Sequence, residues 1–351
     1  MKKKYNKLAI LNILRFVFAI VIVLWHIRFG FEEIHEGYNN TTYYIRQFIH
    51  CSSNTAFLLI SGMTFYLAYY KRLERGELSS KDFIIRRLKK IYPLVIITTL
   101  VGYVRNLFIY FGYHAWANIS ITALLSDLLL FGERAYITNG YGAINTPVWY
   151  LFVLFYCYIL VIITLYLTRK NKSVYWLLIP LALYFIKAQK PDSIIPFNIG
   201  NEVFAFFTGI FFMIFLEKFE HFKKSIRVIL RICGIFLAIL IIFNYYCNNC
   251  SSSFGDTYLW NPVLIWCPFI TSVYGLKINR IFDMKFFKYL GSLSFPIFLW
   301  HCVIPFWNTF EPCDYKKMTL FFVELLTISI ITLYFEKTIK INNNLILDKQ
   351  K

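Results

Sequence analysis

The sequence predicts an all-α integral membrane protein of about ten transmembrane helices, with the N- and C-termini cytoplasmic. Three observations predict it. First, 58% of the 351 residues are hydrophobic and 16% charged, with a mean hydropathy of +0.55, whereas a soluble domain keeps roughly 25% of its residues charged. Second, apolar stretches near the roughly 20 residues that span a bilayer recur along the chain. Third, the cations gather on alternate connections between them. No long polar segment interrupts the pattern, so residues 1–351 read as one membrane domain.

The expected spans are 8–30, 52–70, 91–113, 146–168, 174–189, 199–216, 228–247, 259–276, 289–309 and 318–336. The first follows Met1-Lys-Lys-Lys, as a signal peptide would, but it is long, contains Arg15 and shows no small-residue cleavage site. It reads as an uncleaved helix. The fifth is short and ends near Lys187 and Lys190, which can snorkel. Residues 119–131 are too few to cross and read as an interfacial or re-entrant helix. With the N-terminus inside, 28 of the 37 Lys and Arg fall on cytoplasmic segments and 8 outside, with Arg15 within the first span. This split is the positive-inside pattern. It accounts for the formal charge of +18 without a nucleic-acid partner. No internal repeat or inverted pair of halves is visible. The eight cysteines read mostly as small apolar fillers, with a Cys247–Cys250 disulfide open to an oxidising compartment.

Ionisable residues inside a bilayer are costly and mark function. The first span holds two, Arg15 and His26. Eleven residues return a helix to within about 20° of the same face and advance it roughly 16 Å, so both share one stripe. A guanidinium suits phosphate or carboxylate. An imidazole titrating near neutrality suits proton abstraction from a hydroxyl. The plain alternatives are a structural ion pair for Arg15 and an interfacial position beside Trp25 for His26. Before the third span, Arg86, Arg87, Lys89 and Lys90 fill four of five positions. Such a cluster can hold phosphates, or anchor the chain on lipid headgroups. In the ninth span, Ser292 through His301 ends in Leu-Trp-His, as does the relevant part of the first; alone, His301 reads as a packing histidine. Glu202 and Glu324 read as structural partners of cations. No metal-ligand spacing and no Gly-x-Ser-x-Gly elbow appears.

The Arg15 and His26 pair, ten residues intervening, resembles the signature of acyltransferase family 3, the multi-pass membrane enzymes that O-acylate bacterial surface polysaccharides and lipids. Four further patches follow in the same order. Phe57-Leu-Leu-Ile-Ser61-Gly62 resembles the apolar-Ser-Gly element of the second helix. Arg86 through Pro93 resembles the Arg-rich approach to the third. Thr146-Pro-Val-Trp149-Tyr150 resembles the Trp-containing fourth helix, and Ser294 through His301 the Tyr-Leu-Trp-His element. Lys90 stands where the family has Arg, and the paired Glu that some members carry after the Trp is missing. No extra C-terminal soluble domain is evident.

The resemblance implies an acyl-CoA donor, acetyl-CoA foremost, and a polysaccharide or glycolipid acceptor, in the bacterial cytoplasmic membrane and in contact with its lipid. It implies that Arg86, Arg87, Lys89 and Lys90 bind CoA phosphates. Arg15 would meet phosphate or thioester oxygen. His26 would deprotonate the acceptor hydroxyl or carry the acyl group. Trp149, Tyr150, His301 and Ser61 would line the substrate path. One continuous cavity from Arg87 past Arg15 to His26 is the geometry this requires. A transporter or flippase for a polysaccharide intermediate or small anion would use the same Arg and His without CoA. A scaffold without chemistry would have little reason to bury them.

Overall fold

In hydrocarbon every backbone N–H and C=O must find its partner within the protein, so apolar stretches of this length fold as helices. The computed structural model describes residues 8–26, 55–112, 119–130, 143–167, 200–247, 261–304 and 315–349. Among these residues the fold is all-helical, without strands. α1 is Ile10–His26. α2 is helical over 55–74, with π-helical geometry at Tyr66–Tyr70. α3 is Ser80–Gly112, α4 Ile121–Leu128, α5 Val148–Leu167, α6 Gly200–Glu220 and α7 Lys224–Cys247. α8 is Asn261–Val273, α9 the single turn Asn279–Phe282, α10 Lys285–Trp300 and α11 Tyr315–Lys349.

Among the described residues, three segments are long and apolar enough to cross a membrane: α3, α5 and Lys316–Thr338 of α11. α1, α2, α6, α7, α8 and α10 overlap six more expected spans. The expected span 174–189 lies outside the described residues, as do Cys51, Cys250 and Cys313. Cys157, Cys233, Cys267 and Cys302 are thiols. Large apolar side chains are exposed along α3 (Ile97, Phe108, Phe111), α7 (Ile232, Phe236, Phe243) and α11 (Val323, Tyr334). Patches of this extent on a water-facing surface would drive association; in a membrane they meet lipid.

Two boundaries differ from expectation. α3 begins eleven positions before residue 91, so Arg86–Lys90 belong to the helix and not to a loop before it. The Ser79 hydroxyl accepts the Asp82 amide at 3.0 Å, an N-cap that fixes the start, and Pro93 is carried inside the helix. α10 ends at Trp300, which puts His301 in the following turn. α4 is short, as expected, and is held against α3: the Tyr92 hydroxyl donates to the Leu128 carbonyl at 2.6 Å.

The packing sets how each helix is rotated. α1 lies along α10, where a Cβ on Gly291 would stand 2.8 Å from the Asn12 carbonyl oxygen. Asn279 Oδ1 accepts the Ile10 amide at 3.2 Å, satisfying an orphan donor at the start of α1. α2 and α6 meet backbone to backbone. A Cβ on Gly62 would come within 2.0 Å of the Phe206 carbonyl oxygen, and one on Gly209 within 2.1 Å of the Leu59 oxygen. Small residues at helix crossings allow this approach. Lys71 pairs with Glu217 at 2.5 Å across the same interface.

Candidate active site

Helices α1, α2, α3, α5, α10 and α11 enclose a cavity of about 350 Å³. α1 contributes Arg15, whose guanidinium donates to the Thr64 hydroxyl on α2. Thr64 in turn donates to the Ile60 carbonyl at 2.7 Å. The partner of Arg15 is thus a hydroxyl and not a carboxylate, which is not the arrangement of a structural ion pair. From α3, Arg87 Nη2 donates to the Tyr158 hydroxyl at 2.8 Å. Its guanidinium also lies over the Tyr158 and Tyr69 rings, 5.3 and 5.8 Å from their centroids. Such cation–π contacts hold a guanidinium in place without neutralising it. Arg87 Nε is buried with no hydrogen-bond partner among the described residues.

Lys90 on α3 and Lys288 on α10 line the same cavity, Lys288 paired with Asp283 at 2.7 Å. Among the described residues, four lining cations face one lining carboxylate, Glu336 of α11. Arg15 and Arg87 are half-buried and Lys90 and Lys288 exposed; such an excess of positive charge suits an anion, and the planar donors of arginine suit phosphate. In the same lining, Ser61 Oγ and the Tyr150 hydroxyl are hydrogen-bonded at 2.8 Å. Gly62 explains how Ser61 reaches this place: the contact of Gly62 with Phe206 turns the neighbouring serine toward α5.

The structure divides the residues expected to act together. Of the four-cation cluster, half-buried Arg87 and exposed Lys90 line the cavity, while Arg86 and Lys89, also exposed, do not. Helical geometry is the reason, because neighbours in sequence diverge by 100° whereas residues three apart share a face. Trp149 is half-buried beside Tyr150 but outside the lining. His26 faces inward, its ring 5.1 Å from that of His301, yet neither histidine lines the cavity. Among the described residues, an aromatic layer stands between this cavity and His26. Phe57 and Tyr150 line the cavity, and Phe298 packs on both at 5.8 and 5.2 Å. On its other side Phe298 meets His301 at 5.9 Å.

Sequence reasoning missed Tyr158, Tyr69 and Lys288. Tyr158 carried a signal: residues 150, 151, 154 and 158 form one stripe of α5 within about 100°, and all four line the cavity. Lys288 read only as one more cytoplasmic cation.

An apolar helical bundle around a cation-lined cavity is a membrane protein equipped to hold an anionic ligand. The family model described as an acyltransferase domain matches residues 8–335. The chain therefore belongs to acyltransferase family 3 and is a membrane acyltransferase. Searches of curated proteins and of solved structures found no match.

Proposed function

We propose that this chain moves an acyl group, acetyl foremost, from cytoplasmic acyl-CoA to a hydroxyl of a surface polysaccharide or its lipid-linked precursor. The observation that carries the reading is the convergence of Arg15, Arg87, Lys90 and Lys288 on one cavity. CoA presents several phosphate charges at one end and a reactive thioester at the other. Arg87, Lys90 and Lys288 hold the phosphates, and Arg15, deeper along α1, stabilises the charge that develops on the thioester oxygen. Ser61 and Tyr150 border the acyl end. The Phe57–Tyr150–Phe298 layer parts to admit the acyl group to His26. His26 takes the proton of the acceptor hydroxyl as its oxygen bonds the acyl carbon. The carbon–sulfur bond then breaks, and the proton passes to the departing CoA thiolate. His301 flanks the acceptor. Exposed Arg86 and Lys89 rest on anionic lipid headgroups. Ten spans with both termini cytoplasmic, in a bacterial cytoplasmic membrane, place the cation-rich end of the cavity on the side where acyl-CoA is made.

The test is acetyl-CoA binding to the purified protein in detergent. Wild type binds saturably, Arg87→Ala binds markedly worse, and His26→Ala binds as wild type but transfers nothing. No saturable binding of acetyl-CoA or succinyl-CoA by the folded wild type overturns the reading.

A further inference from the structure

The end of α1 and the turn after α10 bring three metal-competent side chains together, beyond the aromatic layer from the cationic cavity. His26, His301 and Cys302 each offer a donor atom, and all three atoms lie within 4.8 Å of one another. We propose that this triad binds a soft divalent transition metal, zinc above all, and that the bound metal inhibits transfer by taking the His26 lone pair. The inhibitory half rests on the reading of His26 as the base; the binding half does not.

His301 is the anchor of the argument. Its Nδ1 lies 2.7 Å from the Phe298 carbonyl oxygen. A carbonyl can only accept, so Nδ1 carries the hydrogen and Nε2 carries the lone pair. His301 is 3% exposed, and Nε2 is buried with no hydrogen-bond partner among the described residues. A buried acceptor without a donor is unfavourable. An imidazole whose other nitrogen donates to a backbone carbonyl is the arrangement that orients histidine toward a metal.

The donor set selects the ion. Two imidazoles and a thiolate are soft or borderline ligands that favour zinc over calcium or magnesium, which take oxygen. Three protein ligands leave a fourth tetrahedral position open to water. Zn–N and Zn–S bonds of about 2.0 and 2.3 Å require donor separations of about 3.3–3.5 Å. His26 and Cys302 are only half-buried, so side-chain rotation can supply the contraction and an ion can reach the site. No local spacing reveals the triad, because α1 and the turn after α10 supply its members from opposite ends of the sequence.

The experiment is direct zinc titration of the full-length protein in detergent against a competing chelator, with Zn²⁺ as the probe. Wild type binds one equivalent, and Cys302→Ser and His301→Ala bind about 10–100-fold more weakly or worse. Cys233→Ser, whose thiol is exposed on α7, binds as wild type. Cys302→Ser is near-isosteric and keeps its basal acetyl transfer, which zinc no longer inhibits. Equal zinc affinity in wild type and Cys302→Ser overturns the site while leaving the acyltransferase reading intact. Zinc that binds through Cys302 without slowing transfer overturns the inhibitory half and, with it, the role of His26 as base.

Discussion

Arg87 differs from Arg86 by one position and by its whole environment. Arg87 reaches the cavity, is held by Tyr158 and leaves Nε without a partner among the described residues; Arg86 is exposed. A hydrogen bond to a charged group contributes about 1.5–3 kcal/mol, so Arg87→Ala is expected to weaken acetyl-CoA binding by about 10–150-fold. Arg86→Ala should stay within about 3-fold, as surface charges contribute little. Equal losses in parallel titrations would return the donor site to the whole cluster. Tyr158→Phe keeps the ring under the guanidinium and removes only the hydroxyl. Its expected effect on acetyl-CoA affinity is smaller, about 3–10-fold, matching the about 0.5–1.5 kcal/mol of a typical hydrogen bond. An unchanged affinity would mean that Tyr158 does not position Arg87. At this scale helical arithmetic put Arg15 and His26 on one stripe of α1; that the stripe faces other helices is seen only in the structure. The sequence could not separate Arg86 from Arg87, because that depends on how α3 is rotated by its neighbours.

The helices were legible where apolar length decides them, and less so where a cap does. α5 was expected at 146–168 and is found at Val148–Leu167. α3 was expected from 91 because the cations before it lower local hydropathy; the Ser79 cap extends it to Ser80. Helix contacts were not legible, since close approach depends on the partner's backbone. The Ser61-Gly62 pair was read for its serine, yet Gly62 sets the crossing of α2 on α6. Gly62→Ala would drive a Cβ into the Phe206 backbone, which cannot yield as a side-chain tip can. Overpacking of this kind costs typically about 1–3 kcal/mol. The expected outcome is a lowered thermal midpoint in detergent, with acetyl-CoA affinity reduced as Ser61 shifts. Gly112→Ala is the comparison, because nothing lies within 4 Å of the added Cβ, and its midpoint should not fall. Equal midpoints for the two variants would show that the α2–α6 crossing tolerates a wider spacing.

At the scale of the molecule, the cavity gathers, among the described residues, the early turns of three helices and the late turns of a fourth. Asn12 lies near the start of α1, Lys90 in the early turns of α3, Lys288 near the start of α10 and Glu336 near the end of the apolar segment of α11. Lys337 lies over the Tyr289 ring at 5.3 Å, fixing the antiparallel pairing of α10 with α11. The start of α1 and the end of that α11 segment therefore share one face of the bundle, which an even number of crossings requires. On the proposed topology that face is cytoplasmic, as the positive-inside bias of the sequence leads one to expect. The sidedness is measurable. Inside-out membrane vesicles should bind added acetyl-CoA at once, whereas right-side-out vesicles should do so only after permeabilisation. The binding should also weaken as salt rises, because a polyphosphate ligand at a cationic mouth is attracted from a distance that ions screen over about 8 Å at physiological strength. Binding by sealed right-side-out vesicles would invert the topology. Four cations would then face the compartment without acyl-CoA, and the donor would have to be sought among other anions.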